Sequence, residues 1–225
     1  MKTIILTVFA VSFAMVSYSQ EIEFNGFSKG DFIISGSANF YSNKNEYASI
    51  STTDTLNSKY KNTNISIVPE IGLFLTDHFL IGLNVGYLYS KSKRENNLVE
   101  NESSGYTTGI TGRYYFSPKK RISFYTEISG SYSKTEGSSK YYSEDTVDAS
   151  YDNTNEHFSV KLSPGVNIFI NKNLAITSRI GNVGYSNSKN ESRDTLNDRS
   201  YANSSKGISA SLDFSSFYFG ILYRI

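Results

Sequence analysis

Cysteine is absent from all 225 residues. That excludes thiol catalysis, a disulfide framework and the acylated cysteine of a lipoprotein anchor. Tryptophan is missing as well, and histidine occurs only at His78 and His157. Two isolated imidazoles give no ligand set for a transition metal, and no cofactor is expected. Net charge is almost nil, with 22 basic residues against 21 acidic ones, so nucleic acid is not an expected partner. Beyond the N-terminus no apolar run reaches the ~18 residues of a spanning helix. What survives is an exported soluble domain or a membrane β-barrel. The mean hydropathy of −0.36 suits a barrel, which needs apolar residues only at alternate strand positions around a polar lumen.

The N-terminus reads as an export signal: Lys2 supplies a positive start, Ile4 to Met15 an apolar stretch, and Ser17-Tyr18-Ser19 a small-residue cleavage site. The expected division is a cleaved signal peptide over 1–19 and one β-barrel domain over 20–225, beginning at Gln20. Aromatic residues make up 15% of the chain, all Tyr and Phe, and membrane barrels place such rings in girdles at the two interfaces.

The connections carry the strongest fold signal. Segments of roughly ten residues, the length of a transmembrane strand, are joined by links that alternate short and long. The short ones are Thr76–His78, Ser117–Arg121 and Asn171–Asn173; the long ones fall near 43–63, 92–104, 134–156 and 187–206. Three short and four long links join eight strands, with every long loop at one end. Period-2 alternation supports this, because neighbouring strand side chains point to opposite faces. Phe79, Ile81, Leu83, Val85, Tyr87 and Tyr89 share one face, and Gly82, Asn84, Gly86 and Ser90 the other. Ile122, Phe124 and Ile128 oppose Ser123, Glu127, Ser129 and Ser131; Phe158, Val160 and Leu162 oppose Ser159, Lys161 and Ser163. The alternation changes phase at Gly181-Asn182 and at Ser215-Ser216, which predicts β-bulges. Pro69 and Pro164 fall inside strands and predict local ladder distortion. Aromatic residues beside the short turns (Phe74 and Phe79, Tyr114 to Phe116, Phe169, Tyr218 to Tyr223) predict the inner girdle.

"PEIGLFLTDHFLIGLNVGY" (Pro69–Tyr87) and "PGVNIFINKNLAITSRIGNVGYS" (Pro164–Ser186) resemble the repeated hairpin of small outer-membrane β-barrel proteins common in Bacteroidetes, the OmpA-like or porin-like barrel domain family. "FYFGILYRI" resembles that family's closing strand. The resemblance implies an all-β fold, an eight-stranded antiparallel transmembrane β-barrel of up-and-down topology. It implies outer-membrane localisation as a monomer, contact with outer-membrane lipid and lipopolysaccharide, and insertion by the outer-membrane assembly machinery. It is nearly silent on activity.

Two groups of residues are candidates for function. Glu70, Arg113, Glu127 and Arg179 fall at lumen-facing positions at comparable depth, with Lys161 higher. Both signs at one depth predict pairing, since an unpaired charge in a tight lumen is costly. The simpler reading is a static plug. The alternative is a narrow or gated porin-like channel controlled by these charges. The long loops are the second group, with Tyr60, Tyr141, Tyr142, Tyr151 and Tyr201 offering rigid amphipathic contacts to an extracellular ligand. Within them Asp54-Thr55-Leu56, Asp145-Thr146-Val147 and Asp194-Thr195-Leu196 resemble a Bacteroidetes O-glycosylation sequon, making Thr55, Thr146 and Thr195 candidate O-glycosylation sites. The expected role is therefore structural or surface-interactive. Two minor alternatives are a lipid A-modifying enzyme using His157 and Ser159, and a soluble ligand-binding barrel. The alternation turns His157 and Ser159 to the lumen, away from a lipid substrate, so no catalytic residues and no enzyme are expected. The one-sided long loops oppose the soluble barrel.

Overall fold

The fold is a closed antiparallel β-barrel, seen in a computed structural model that describes residues 26–50, 55–94, 99–143, 146–211 and 217–225. Its strands are β1 (Phe32–Ile50), β2 (Thr55–Phe74), β3 (Phe79–Arg94), β4 (Val99–Tyr115), β5 (Ile122–Ser143), β6 (Thr146–Phe169), β7 (Leu174–Ile180), β8 (Asn182–Asp194), β9 (Arg199–Ser211) and β10 (Phe217–Arg224). β7 and β8 lie end to end along β6, and β9 and β10 share the eighth position. The ten segments therefore build eight staves, each paired with its chain neighbour. The first and last close the barrel where Ile33–Gly36 of β1 meets Ile221–Arg224 of β10. Among the described residues, β1 beyond Gly36 and β9 make no ladder with each other.

The three short links are turns at one end, at the positions the sequence predicted. Their side chains fasten them: Thr76 Oγ1 accepts from the His78 and Phe79 amides, and Asn171 Oδ1 accepts from those of Asn173 and Leu174. The long links are different from expectation. β5 and β6 are 22 and 24 residues long, about twice the ~10 residues that cross a bilayer. The ladder of β1 and β2 runs unbroken from Phe32–Leu73 to Ile50–Thr55. The stretches read as four long loops are tall paired hairpins that continue the barrel wall beyond the apolar zone. The reason is solvent: above a membrane both faces of a strand meet water, so ladder hydrogen bonds persist while the apolar alternation that betrays a strand disappears.

Facing follows the alternation. Leu83, Val85, Ile110, Phe124, Ile128, Phe158 and Leu162 are exposed on the outside, whereas Glu70, Thr111, Ser123, Glu127, Ser159 and Asn167 are buried within. This apolar-out, polar-in wall is the arrangement of a transmembrane barrel and the reverse of a soluble one. The predicted bulge at Gly181 is present. β6 and β7 pair Gly165 with Arg179, while β6 and β8 pair Leu162 with Val183, one residue out of step. Gly181 takes a φ of 68°, a left-handed conformation that suits glycine. Pro164, which has no amide hydrogen to donate, lies in the matching gap of β6. Pro69 similarly sits where the β2–β3 ladder skips from Ile67–Tyr87 to Glu70–Asn84. A further register shift, between Tyr141 and Tyr142, gives no phase change in its polar sequence. Ser215-Ser216 lies outside the described residues.

The core sits inside the short-turn end. Phe27, Phe74, Tyr115, Tyr125 and Phe169, with Ile33, Leu80 and Leu222, are buried there. This corrects the predicted inner girdle. Phe79, Tyr114 and Phe116 do face outward, but Phe74, Tyr115 and Phe169 turn into the lumen, because their alternation partners Leu73, Tyr114 and Ile168 take the outer face.

Candidate functional site

The lumen is stopped in layers. The lowest is apolar: Phe27 stacks on Phe74 with centroids 4.4 Å apart and meets Tyr115 at 4.8 Å and Phe169 at 4.9 Å. Phe27 belongs to no strand. It enters from the segment before β1, held by its amide donating to the Pro118 carbonyl at 3.0 Å. Gly26 makes that entry feasible, since its φ is 61° and any Cβ there would lie 2.3 Å from the Pro118 oxygen. The same segment ties the barrel's underside together. The Lys29 amide donates to Asp77 at 2.8 Å, Lys119 Nζ donates to Ser28 at 2.9 Å, and Arg224 donates to the Gly26 carbonyl. The Lys29 amide and the Lys119 ammonium hold the Asp77 carboxyl below its ordinary value.

Above the phenyl rings are Tyr115 and Tyr125, whose hydroxyls are satisfied by Asn167 Nδ2 at 3.1 Å and Thr177 Oγ1 at 2.9 Å. On them rests a continuous ionic chain. Arg113 donates from Nη2 to Glu70 Oε1 at 2.7 Å and from Nε to Glu127 Oε2 at 2.6 Å; Arg179 Nη1 completes it at Glu127 Oε1, 2.6 Å away. Glu70 also accepts from Ser35 at 2.9 Å and Thr111 at 3.2 Å. The Arg113 guanidinium lies 5.4 Å from the centre of the Tyr125 ring. The side chains of Arg113 and Glu127 are only 4% and 1% exposed. The four charges come from β4, β2, β5 and β7, so the chain crosses the barrel and pins its walls to one register.

Of the five lumen charges singled out in the sequence, four are thus joined. Lys161 is not: it stands above the floor, exposed to the lumen, with no ion pair or hydrogen bond among the described residues. Phe27 escaped sequence reasoning altogether, because a lone phenylalanine outside any strand carries no periodicity; the glycines at 26 and 30 were its available signal. Thr195 is exposed in the β8–β9 turn, donating its hydroxyl to the Ser150 carbonyl. Thr55 and Thr146 lie in strands beside hairpin tips, while Asp54 and Asp145 fall outside the described residues. His157 Nδ1 contacts Ser188 Oγ at 2.8 Å, and Ser159 Oγ pairs with Ser131 at 2.9 Å. His78 fixes its turn against the Tyr115 carbonyl at 2.7 Å.

No family model and no curated protein matches the chain. Among solved structures it is similar to the outer membrane protein OprG from Pseudomonas aeruginosa at 11% identity and a TM-score of 0.53, over 90% of this chain and 99% of that one. Weaker likenesses are a major outer membrane protein from Thermus thermophilus (11% identity, TM-score 0.46, 87% of this chain and 99% of that) and AlkL in lipid bilayers (12%, 0.43, 92% and 95%). The first is a likeness of fold: an eight-stranded barrel of the outer-membrane type.

Proposed function

We propose that this chain is an outer-membrane β-barrel whose lumen is sealed on the periplasmic side and whose work is done at the cell surface. The outward apolar band and the OprG-like fold support the location. On this reading the short turns, the start of β1, the end of β10 and the Phe27 stopper face the periplasm. The observation that carries the reading is the double seal. Five packed rings lie under an ionic chain with three of its four members buried, and an eight-stranded barrel has no spare width around them. A gate would need its charges to re-pair, yet both oxygens of Glu70 and of Glu127 are already engaged.

The wall above the membrane supports the surface role. Its hairpins carry aromatic groups such as the exposed Tyr141, edge to face with Tyr151 at 5.8 Å. They also carry ion-paired clusters such as Lys91 with Glu100 and Glu102, both at 2.8 Å. These rigid sheets offer contact area with little ordering cost, unlike free loops. Thr195, exposed at one tip, is the site where O-linked modification is expected to be detectable by intact-mass analysis of native protein.

The test is single-channel recording of the refolded mature chain, its folding verified by heat-modifiable gel migration. A silent bilayer is expected from the wild type. Discrete openings that change with Glu127→Gln would overturn the seal and make the ionic chain a gate.

A further inference from the structure

We infer that the lumen directly above the ionic floor is a binding cup for a small sugar acid, a ligand with one carboxylate and several hydroxyls. This rests on the sealed-floor reading, since a cup needs a bottom. Three features of the cup point to that chemistry.

The first is space where a barrel of this size should have none. Eight-stranded interiors are ordinarily just filled by their own side chains, and below the floor Phe74, Leu80, Tyr115, Tyr125 and Leu222 do fill it. Immediately above, the described inward residues are mostly small, Val68 and Leu88 excepted, and a cavity of about 340 Å³ opens between them. Gly109 leaves room for the Asn84 amide and Gly184 for the stem of Lys161, each of which a Cβ would crowd at 3.0 Å or less. A purely structural plug has no use for this void. Its volume is at the lower end of small-molecule sites.

The second is charge. Among the described residues, the lumen at this level holds three cations, Arg113, Arg179 and Lys161, against two carboxylates, Glu70 and Glu127. The carboxylates are consumed by the arginines and by Ser35 and Thr111, so the excess falls on Lys161. It lines the cup four residues along β6 from Gly165, the partner of Arg179, or about 13 Å of strand. The Lys161 ammonium is therefore the cup's available anion-binding group.

The third is the lining. Ser37, Ser129 and Ser133 present hydroxyls that both donate and accept, and Asn84 adds an amide, while the Thr107 hydroxyl donates to the Tyr132 carbonyl and that of Thr177 is shared with Tyr125. Such hydroxyls match the alternating donors and acceptors of a sugar, with Val68 and Leu88 the apolar members of the wall. Higher in the lumen a second cavity of about 220 Å³ is lined by serine and asparagine, among them Ser138, Asn153 and Asn190. The route inward from outside is thus polar.

The experiment is titration calorimetry of the folded, mature barrel in detergent with D-glucuronate as probe, and D-glucose and inorganic sulfate as controls. Saturable glucuronate binding with a Kd near or below about 1 mM is expected, with glucose and sulfate each weaker by about tenfold or more. Lys161→Gln is expected to weaken glucuronate by at least about tenfold, and Ser131→Phe, which fills the cup, to abolish binding. No saturable heat up to about 10 mM glucuronate would overturn the proposal, as would full affinity in either folded variant. Sulfate binding as tightly as glucuronate would overturn it too, by showing recognition of charge alone. A silent bilayer without glucuronate binding sinks the cup and spares the seal; binding together with a steady current sinks the seal and, with it, the cup as a closed site, leaving a Lys161 site in an open lumen.

Discussion

Glu127 is the residue on which the ionic floor turns, since each of its oxygens carries an arginine. Its replacement by alanine leaves Arg113 buried with half its compensation gone, a change of the kind that costs about 3–5 kcal/mol. Urea unfolding of the refolded barrel is expected to show that loss, and a neutral Glu127→Ala would mean the floor contributes nothing to stability. Asp77 offers a pH test outside the membrane zone. Its carboxyl is held below the ordinary value by the Lys29 amide and Lys119. The tether is therefore fully present above about pH 4 and is lost as pH falls through the lowered folded value. Protection of the Lys29 amide from hydrogen exchange is expected to persist to that point and then drop, and Asp77→Asn to weaken it at neutral pH. The lumen charges were legible in the sequence because an ionisable residue on a polar face of an alternating strand stands out. Which oxygen met which nitrogen was not, because pairing across the lumen depends on strand tilt and on the register shift at Gly181.

At the scale of the element, alternation decided the strands wherever one face met apolar surroundings. Leu83 and Asn84 test it side by side, one outward and one lining the lumen. Leu83→Arg is expected to destabilise by about 2–4 kcal/mol near the bilayer midplane, while Asn84→Leu costs less. The opposite order in an unfolding titration would invert the facing. The Gly181 bulge gives a second test: Gly181→Val forces a β-branched residue into a left-handed φ and is expected to cost about 1–3 kcal/mol. The short turns and both proline distortions were readable from residue chemistry alone. The tall hairpins were not, and for one reason. Their Ser, Asn, Thr and Lys residues satisfy a ladder as well as they satisfy water, so nothing in the polarity pattern separates an exposed strand from a loop.

The whole molecule is a tube with a stopper, and the stopper is not part of the tube. Phe27 packs against side chains from β2, β4 and β6 and is anchored to Pro118, while its neighbours reach the Asp77 turn and Arg224 near the end of β10. The bond to Arg224 exists only once the last stave is in place, whereas β2, β4, β6 and the Pro118 turn suffice to receive the ring. The segment's last tie therefore forms late, although it precedes every strand in the chain and leaves the ribosome before any of them. Assembly of this barrel ends with a bond back to its beginning. Lys29, exposed and two residues from Phe27, keeps the date of that event: trypsin should cut there in a half-built barrel and be refused once the end is sealed.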